Sequence, residues 1–439
     1  MRLIGLLKRD LAKETINWVN DGIISSDQAS SICERYGIDF HNQQTNSFGY
    51  HVLIILGYLF IALSLITLIG ANWDDIPRGL RMAAVIMTTL FFNILGVLQF
   101  KKDKLNAAVR WFFLGGLCYG AAIMLIAQVY HIGEHFPDGI FWWALGILPL
   151  ALLLRSTLLM LLTAVLAFTW FFVESSLEYF PLFFPVFLAA MAWHIFKLKH
   201  STVLFLILVL GIGLLFEYSL SWTLGNPWRF SFSEELVILI GALFILYYGI
   251  AKWLYHRSDP HLRDYGAILG IWSLRFAIIA MFILSFEEPW KELMRNDWHN
   301  KNTALIISLL FSTAAIGAAF IGTRSILKTM STFSFALFYF IGLLGMMYAP
   351  TSYSEYLQIF ANLVLIIAGI WLIAQGIHEG ATHYFYFGVL TIMVTGLLRY
   401  IDFVGDYIGA AILFAVFAGI LLGVARYWRG HLQKPEASE

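Results

Sequence analysis

The chain has 439 residues, of which 60% are hydrophobic, 17% aromatic and only 13% charged, with a formal net charge of zero. A water-soluble chain carries about 25% charged residues, so this composition excludes an ordinary soluble enzyme and points to a membrane protein. The aromatic content is that of segments that end at lipid interfaces, and the balanced charge offers no bulk attraction for nucleic acid. The cysteines Cys33 and Cys118 fall one in a polar leader and one in an apolar run, a placement that gives neither a disulfide framework nor a cysteine zinc site.

Residues 1–49 are predicted to form a small helical hairpin. Leu3, Leu7, Leu11 and Trp18 recur at spacings of four and seven, a helical stripe. Asp21-Gly22 ends it. Ser25 and Gln28 then form an S-x-x-Q capping box that opens a second helix, and Gly37 stops that helix after Arg35-Tyr36. The basic residues of this leader are matched by acids, so it presents no phosphate-binding face. It reads as a hairpin outside the bilayer that packs on itself or on a cytoplasmic partner. The first apolar run begins near Tyr50, beyond the first 15–30 or so residues where a secretory signal would lie, so no signal peptide is expected.

From Tyr50 the chain alternates apolar runs with short polar breaks. A helix crosses the bilayer core with about 20 apolar residues, and backbone groups in lipid must bond within their own segment, so each run is a helix. The predicted spans are 50–72, 80–100, 110–130, 139–154, 157–173, 181–197, 201–220, 235–255, 264–285, 303–322, 330–349, 355–376, 382–401 and 406–426. The short fourth to sixth are the ones a re-entrant pair would change. The expected fold is thus all-α: a polytopic transmembrane bundle of about fourteen helices over residues 50–430, preceded by the hairpin and followed by a polar tail, 431–439.

Lys and Arg concentrate in every second loop: Lys101, Lys102 and Lys104; Lys197 and Lys199; Lys252, Arg257 and Arg263; Arg324 and Lys328; and the tail residues Arg426, Arg429 and Lys434. The intervening loops hold about half as many. By the positive-inside rule both termini are cytoplasmic, in a cell inner membrane.

Three stretches in this order have a familiar pattern: W-x-x-D-G-I-I-S at Trp18 to Ser25, Gly70-Ala71-Asn72-Trp73-Asp74-Asp75 in the first membrane hairpin, and Gly120-Ala121-Ala122 followed by Ala127-Gln128-Val129-Tyr130-His131-Ile132. Together they resemble the bacterial membrane-protein family called domain of unknown function 2157. The resemblance covers the leader and the first five helices or so. Gly388 and Arg399-Tyr400-Ile401-Asp402 are similar to the tails of that family, though less specifically. The resemblance implies a multi-pass protein with a cytoplasmic leader, and it carries over no catalytic residue.

Several residues are candidates for a site. His131, Glu134 and His135 spell H-x-x-E-H, the order of the inverted zinc peptidases. Gly133 interrupts that helix and Pro137-Asp138-Gly139 ends it, so an interfacial cap is the stronger reading. Asp74-Asp75 resemble paired metal-binding acids in a loop too short for that use. His378, Glu379 and His383 bracket an inner loop. Arg275 falls near the middle of its span, where an unpaired arginine costs from about 2.5 to more than 10 kcal/mol. It therefore demands shelter and an acid, with Glu217 and Asp402 the candidates. Arg399 lies one turn from Asp402 and can bind it locally. With Gln128, His131 and Asn362 these charges predict a polar cavity open to the outside, as a binding pathway for a small polar solute or a lipid headgroup; the competing reading is a structural ion pair. Gly342, Gly345, Gly405 and Gly409 hint at close helix contacts. No Walker loop, nucleophile elbow or dinucleotide fingerprint is present, so no cofactor is expected. The expectation is a transporter-like protein whose partners are membrane lipids. An enzyme on a lipid-linked substrate, or a scaffold or sensor working through the hairpin, are the alternatives.

Overall fold

The computed structural model describes residues 14–15, 18–35, 60, 77–130, 135–223, 234–295, 300–379 and 382–403. The spans expected at 50–72 and 406–426, the Leu3–Leu11 stripe, Asp74-Asp75, His131 to Glu134, Gly405, Gly409 and the tail 431–439 lie outside them, as do the side chains of His378, Glu379, His383 and Asp402. The chain divides into two units, Met1–Arg81 and Met82–Glu439.

In the first unit the hairpin chemistry is visible. Gly22 takes φ +70°, a left-handed turn that favours glycine. Helix α1, Ser26–Arg35, begins with the expected capping box: the Ser25 backbone N–H donates to Gln28 Oε1 at 2.9 Å and the Gln28 N–H donates to Ser25 Oγ at 3.3 Å. Cys33 and Ala29 are buried, and Cys33 Sγ lies 3.4 Å from Thr15 Oγ1, so the helix packs on residues near Thr15.

Thirteen further helices follow: α2 Arg78–Lys101, α3 Leu105–Tyr130, α4 Pro137–Leu153, α5 Thr157–Ser176, α6 Phe184–Trp193, α7 Thr202–Thr223, α8 Glu234–Tyr255, α9 Pro260–Ile283, α10 Glu287–Arg295, α11 Lys301–Thr323, α12 Ile326–Tyr348, α13 Ser354–Glu379 and α14 Thr382–Phe403. No strand occurs among the described residues. Every predicted span that falls within these residues is a helix, and nine helices there are long and apolar enough to cross a membrane. α4, α14 and the segment Phe184–Leu198, in which α6 runs on into a π-turn at His194–Leu198, supply shorter apolar stretches. At 1.5 Å per residue the 17 residues of α4 reach only about 26 Å, less than a bilayer core of about 30 Å. The sequence pattern missed α10, a nine-residue amphipathic helix whose charges hide it from a search for apolar runs.

The loops are short because the residues at the helix ends close them. Ser156 caps α5, accepting from Leu159 N–H at 3.4 Å. Asp259 caps α9 ahead of Pro260, a residue suited to a first helical turn. Arg324, at φ 49°, ends α11 in the left-handed region. Outside the bundle large apolar side chains stand exposed, such as Leu90, Phe91 and Ile94 on α2 and Ile366, Ile367 and Ile370 on α13. So large an apolar surface is stable only against lipid or another apolar partner.

The core is held by backbone contact as much as by side chains. α8 packs hardest on α11 and α9, and α13 on α14. A methyl group on Gly322 of α11 would lie 2.6 Å from Trp253 Cα of α8, and one on Gly266 of α9 would lie 2.6 Å from the Ala251 carbonyl oxygen. Gly249 of α8 meets the Ala315 backbone, and Gly388 of α14 stands against the Gly369 carbonyl oxygen, 2.6 Å from a Cβ placed on it. Small residues let helices approach this closely, and in lipid such packing takes the place of the hydrophobic effect. Of the expected close-contact glycines, Gly345 is one, with Leu357 Cδ2 at 2.7 Å, whereas Gly342 has only ordinary contacts at 3.7 Å.

Gly249→Leu, forced against the Ala315 backbone, should lower stability by about 1–3 kcal/mol. Gly317→Leu, with open space around it, should leave stability unchanged. Denaturant unfolding in detergent micelles measures both, and equal losses would contradict the packing described.

Candidate functional site

The buried polar groups fall into separate places. Glu217, in the second half of α7, is 7% exposed, and neither carboxylate oxygen has a hydrogen-bond partner among the described residues. It lies near enough to Tyr247 of α8 and Tyr339 of α12 to act on both phenols electrostatically. Gly213, one turn earlier, leaves room for the Tyr247 hydroxyl, which donates to the Val209 carbonyl at 2.9 Å. The Tyr339 hydroxyl bridges Ser308 Oγ of α11 at 2.8 Å and the Ile238 carbonyl of α8 at 3.1 Å. Phe216 and Phe311 rings, 4.9 Å apart, bring α7 against α11, where the buried Ser312 hydroxyl also lacks a partner among the described residues. The Glu217 carboxylate, the Tyr247 and Tyr339 phenols and the Ser308 and Ser312 hydroxyls thus belong to four neighbouring helices, α7, α8, α11 and α12.

Arg275 is not its partner. The guanidinium is half-buried, 5.4 Å from the Trp272 ring and 6.0 Å from the Phe387 ring of α14. Among the described residues no carboxylate lies within ion-pairing distance of it. The ion pair expected between Arg275 and Glu217 is not formed: Arg275 reaches from α9 to the Phe387 ring of α14, and Glu217 has no partner among the described residues. Aromatic faces supply part of the attraction that an acid would have given.

Asn362 and Arg399 meet around a third place, the turn from α9 to α10. Asn362 Nδ2 donates to the Ser285 carbonyl at 3.1 Å and to the Gln358 carbonyl at 2.7 Å. The Arg399 guanidinium lies 5.2 Å over the Phe286 ring. Glu287 accepts from Ser354 Oγ at 2.7 Å and pairs with Lys291 at 2.8 Å, and these donors hold its carboxyl below the usual range. Trp290 anchors α10 by donating to the Leu284 carbonyl at 2.6 Å. Asn362 thereby has a structural role that its position in an apolar run did not disclose. Gln128 is exposed at the end of α3.

Of the H-x-x-E-H residues only His135 is described. Its Nε2 lies 2.8 Å from Glu174 Oε2 of α5, and its ring packs edge-on against Tyr179 at 4.7 Å. Glu174 stands 39 residues away in the chain, so no local pattern names it as the partner.

A further group was missed altogether. His200, in the loop before α7, meets His261 and Asp264 of the first turn of α9, with donor atoms within 4.8 Å of one another. Burial holds the His200 imidazole below its usual pKa; the field of His261 adds to this, and Asp264 and Asp259 oppose it. The His-x-x-Asp spacing at 261–264 is legible in the sequence as one helical face; its pairing with His200 is not. The groove of about 460 Å³ between α2 and α3 is lined mainly by apolar side chains, with Thr89 and Tyr119 the polar exceptions.

Apolar helices of spanning length, joined by short capped turns and sheltering a few charges between them, define a polytopic helical membrane protein. Within that class, the model of the family described as predicted membrane protein (DUF2157) matches residues 17–160. The resemblance read from the leader and first helices is borne out over that segment. No curated protein and no solved structure matches the chain.

His135→Ala should cost about 1–3 kcal/mol by leaving the buried Glu174 carboxylate unpaired. Thermal unfolding in detergent checks this, and adding Glu174→Leu should recover part of the loss. A double variant as unstable as the single one would argue against the pair.

Proposed function

We propose that this chain binds, and carries across the membrane, a small polar solute bearing positive charge, with Glu217 as the group that recognises it. The observation that supports this reading is the buried Glu217 carboxylate with both oxygens lacking a partner among the described residues. An ionised carboxylate in an apolar interior is tolerated only when neutralised, by a proton or by a bound cation, and intramembrane acids facing the bundle interior mark ion and substrate pathways. Tyr247, Tyr339, Ser308 and Ser312 supply hydroxyl oxygens of the kind that replace a cation's water shell. With both termini in the cytoplasm of an inner membrane, as the loop charges favour, Glu217 falls in the half of the bilayer nearer the outside. Arg275, cushioned on aromatic rings in α9, then repels cations from the α9–α14 side of the bundle.

Protein reconstituted in lipid nanodiscs should react with a hydrophobic carbodiimide at Glu217, read as a mass adduct. Sodium, ammonium or tetramethylammonium ions, used as probes, should slow that reaction. Glu217→Gln should abolish the adduct and weaken binding of the effective probe by more than about 30-fold, the equivalent of about 2 kcal/mol. An unreactive Glu217 together with no probe effect on melting temperature would overturn the reading.

A further inference from the structure

We propose that His200, His261 and Asp264 form a binding site for a divalent transition-metal cation of the zinc type, at the end of the bundle where α7 and α9 begin. The proposal does not rest on the role given to Glu217.

The donors come from two segments 61 positions apart in the chain, and the local structure brings them together. His261 and Asp264 sit on the first turn of α9, spaced three residues apart and so on one face. Asp259 sets that turn by accepting from the His261 backbone N–H at 2.8 Å. His200 is held in place by stacking: its ring lies 4.3 Å from the His261 ring and 4.5 Å from the Tyr265 ring, at 30° and 28°. Tyr265 is itself fixed, 1% exposed and stacked on Phe205 at 4.4 Å. Its hydroxyl accepts from the Ser201 backbone N–H at 3.2 Å. Ser201 Oγ in turn accepts from the Leu204 N–H at 3.4 Å and so starts α7.

Three features point to a cation as occupant. His200 Nδ1 is buried with no hydrogen-bond partner among the described residues, a lone ring nitrogen without an evident structural use. Two acids, Asp259 and Asp264, act on His200 electrostatically. Two of the nearby cationic side chains are turned to aromatic rings instead: Arg257 lies 4.3 Å over Trp253 and Arg263 lies 5.9 Å from Tyr255. Two imidazoles and one carboxylate are a donor set for zinc and its neighbours, with a fourth position open to water. Tetrahedral bonds of about 2.0–2.1 Å place donors about 3.3 Å apart. The present set lies within 4.8 Å; binding would turn the exposed His261 out of its stack on His200 and rotate Asp264 toward the ion to reach that spacing. The bound ion would clamp the start of the helix that carries Glu217 to the start of the helix that carries Arg275.

The test uses tag-free, full-length protein in detergent, stripped with a chelator and titrated with zinc or cobalt. One equivalent of zinc per chain is expected, with a rise in melting temperature on binding and, for cobalt, the visible absorption of a tetrahedral site. His261→Ala/Asp264→Asn, which alters exposed side chains and leaves the Tyr265 stacking in place, should lower zinc affinity at least about tenfold and remove the zinc-induced rise. His200→Gln should do the same. The readout is the response to zinc, so a variant that is less stable without metal still reports. Wild-type protein that takes up no zinc, or variants that respond to zinc as the wild type does, would overturn the proposal.

Discussion

The bundle depends on backbone-to-backbone contact at α8. With Gly249 against Ala315, Gly322 against Trp253 and Gly266 against Ala251, three helices meet where no side chain fits between them. Lipid offers apolar groups no reason to leave it, so this close fit, with the dispersion and dipole contacts it allows, supplies the association energy. Several of the polar groups of the second unit are carried by these helices. α8 ties Tyr247 to Val209 of α7; α9 carries both Arg275 and the His261–Asp264 face; α11 presents Ser308 to Tyr339. Separation of these helices would part Tyr339 from the Ile238 carbonyl and Ser308 that it bridges.

Within that frame the rare charges are handled in different ways. Arg275 rests on aromatic rings, Glu174 is matched by His135, and Glu287 is satisfied by Lys291 and Ser354. Among these carboxylates, Glu217 differs from Glu174 and Glu287 in having neither an ion partner nor a hydrogen bond among the described residues. Where other polar groups have been matched locally, an unmatched one is more informative than a long list of satisfied contacts.

Much of the fold was legible because lipid reduces the grammar to a single rule. Runs such as 202–223 and 301–323 have no alternative to a helix, and their ends are announced by Ser, Asp-Pro and Arg-Ser turns. The Ser25–Gln28 box was equally readable, since it needs only residues three apart. What could not be read were pairings across the chain. Nothing near Glu217 in sequence names Tyr339, and nothing near His200 names His261. A charge in an apolar run tells that it must be sheltered and leaves open by what; for Arg275 an acid was the natural expectation, and two aromatic rings stand there instead. The α10 helix escaped for the opposite reason, because its interfacial charges look like a loop until Trp290 is seen turned inward.

The hydroxyl of Tyr339 has a mechanical implication. It is bound at once to Ser308 of α11 and to the Ile238 carbonyl of α8, so three helices share one rivet. Sliding α12 along its neighbours by a single turn, about 5.4 Å, would break both bonds together. α8, α11 and α12 therefore travel as one block, and rearrangements that open or close the space beside them fall to α7, whose tyrosine bond, from Tyr247 to Val209, is the only one of these ties that crosses to it.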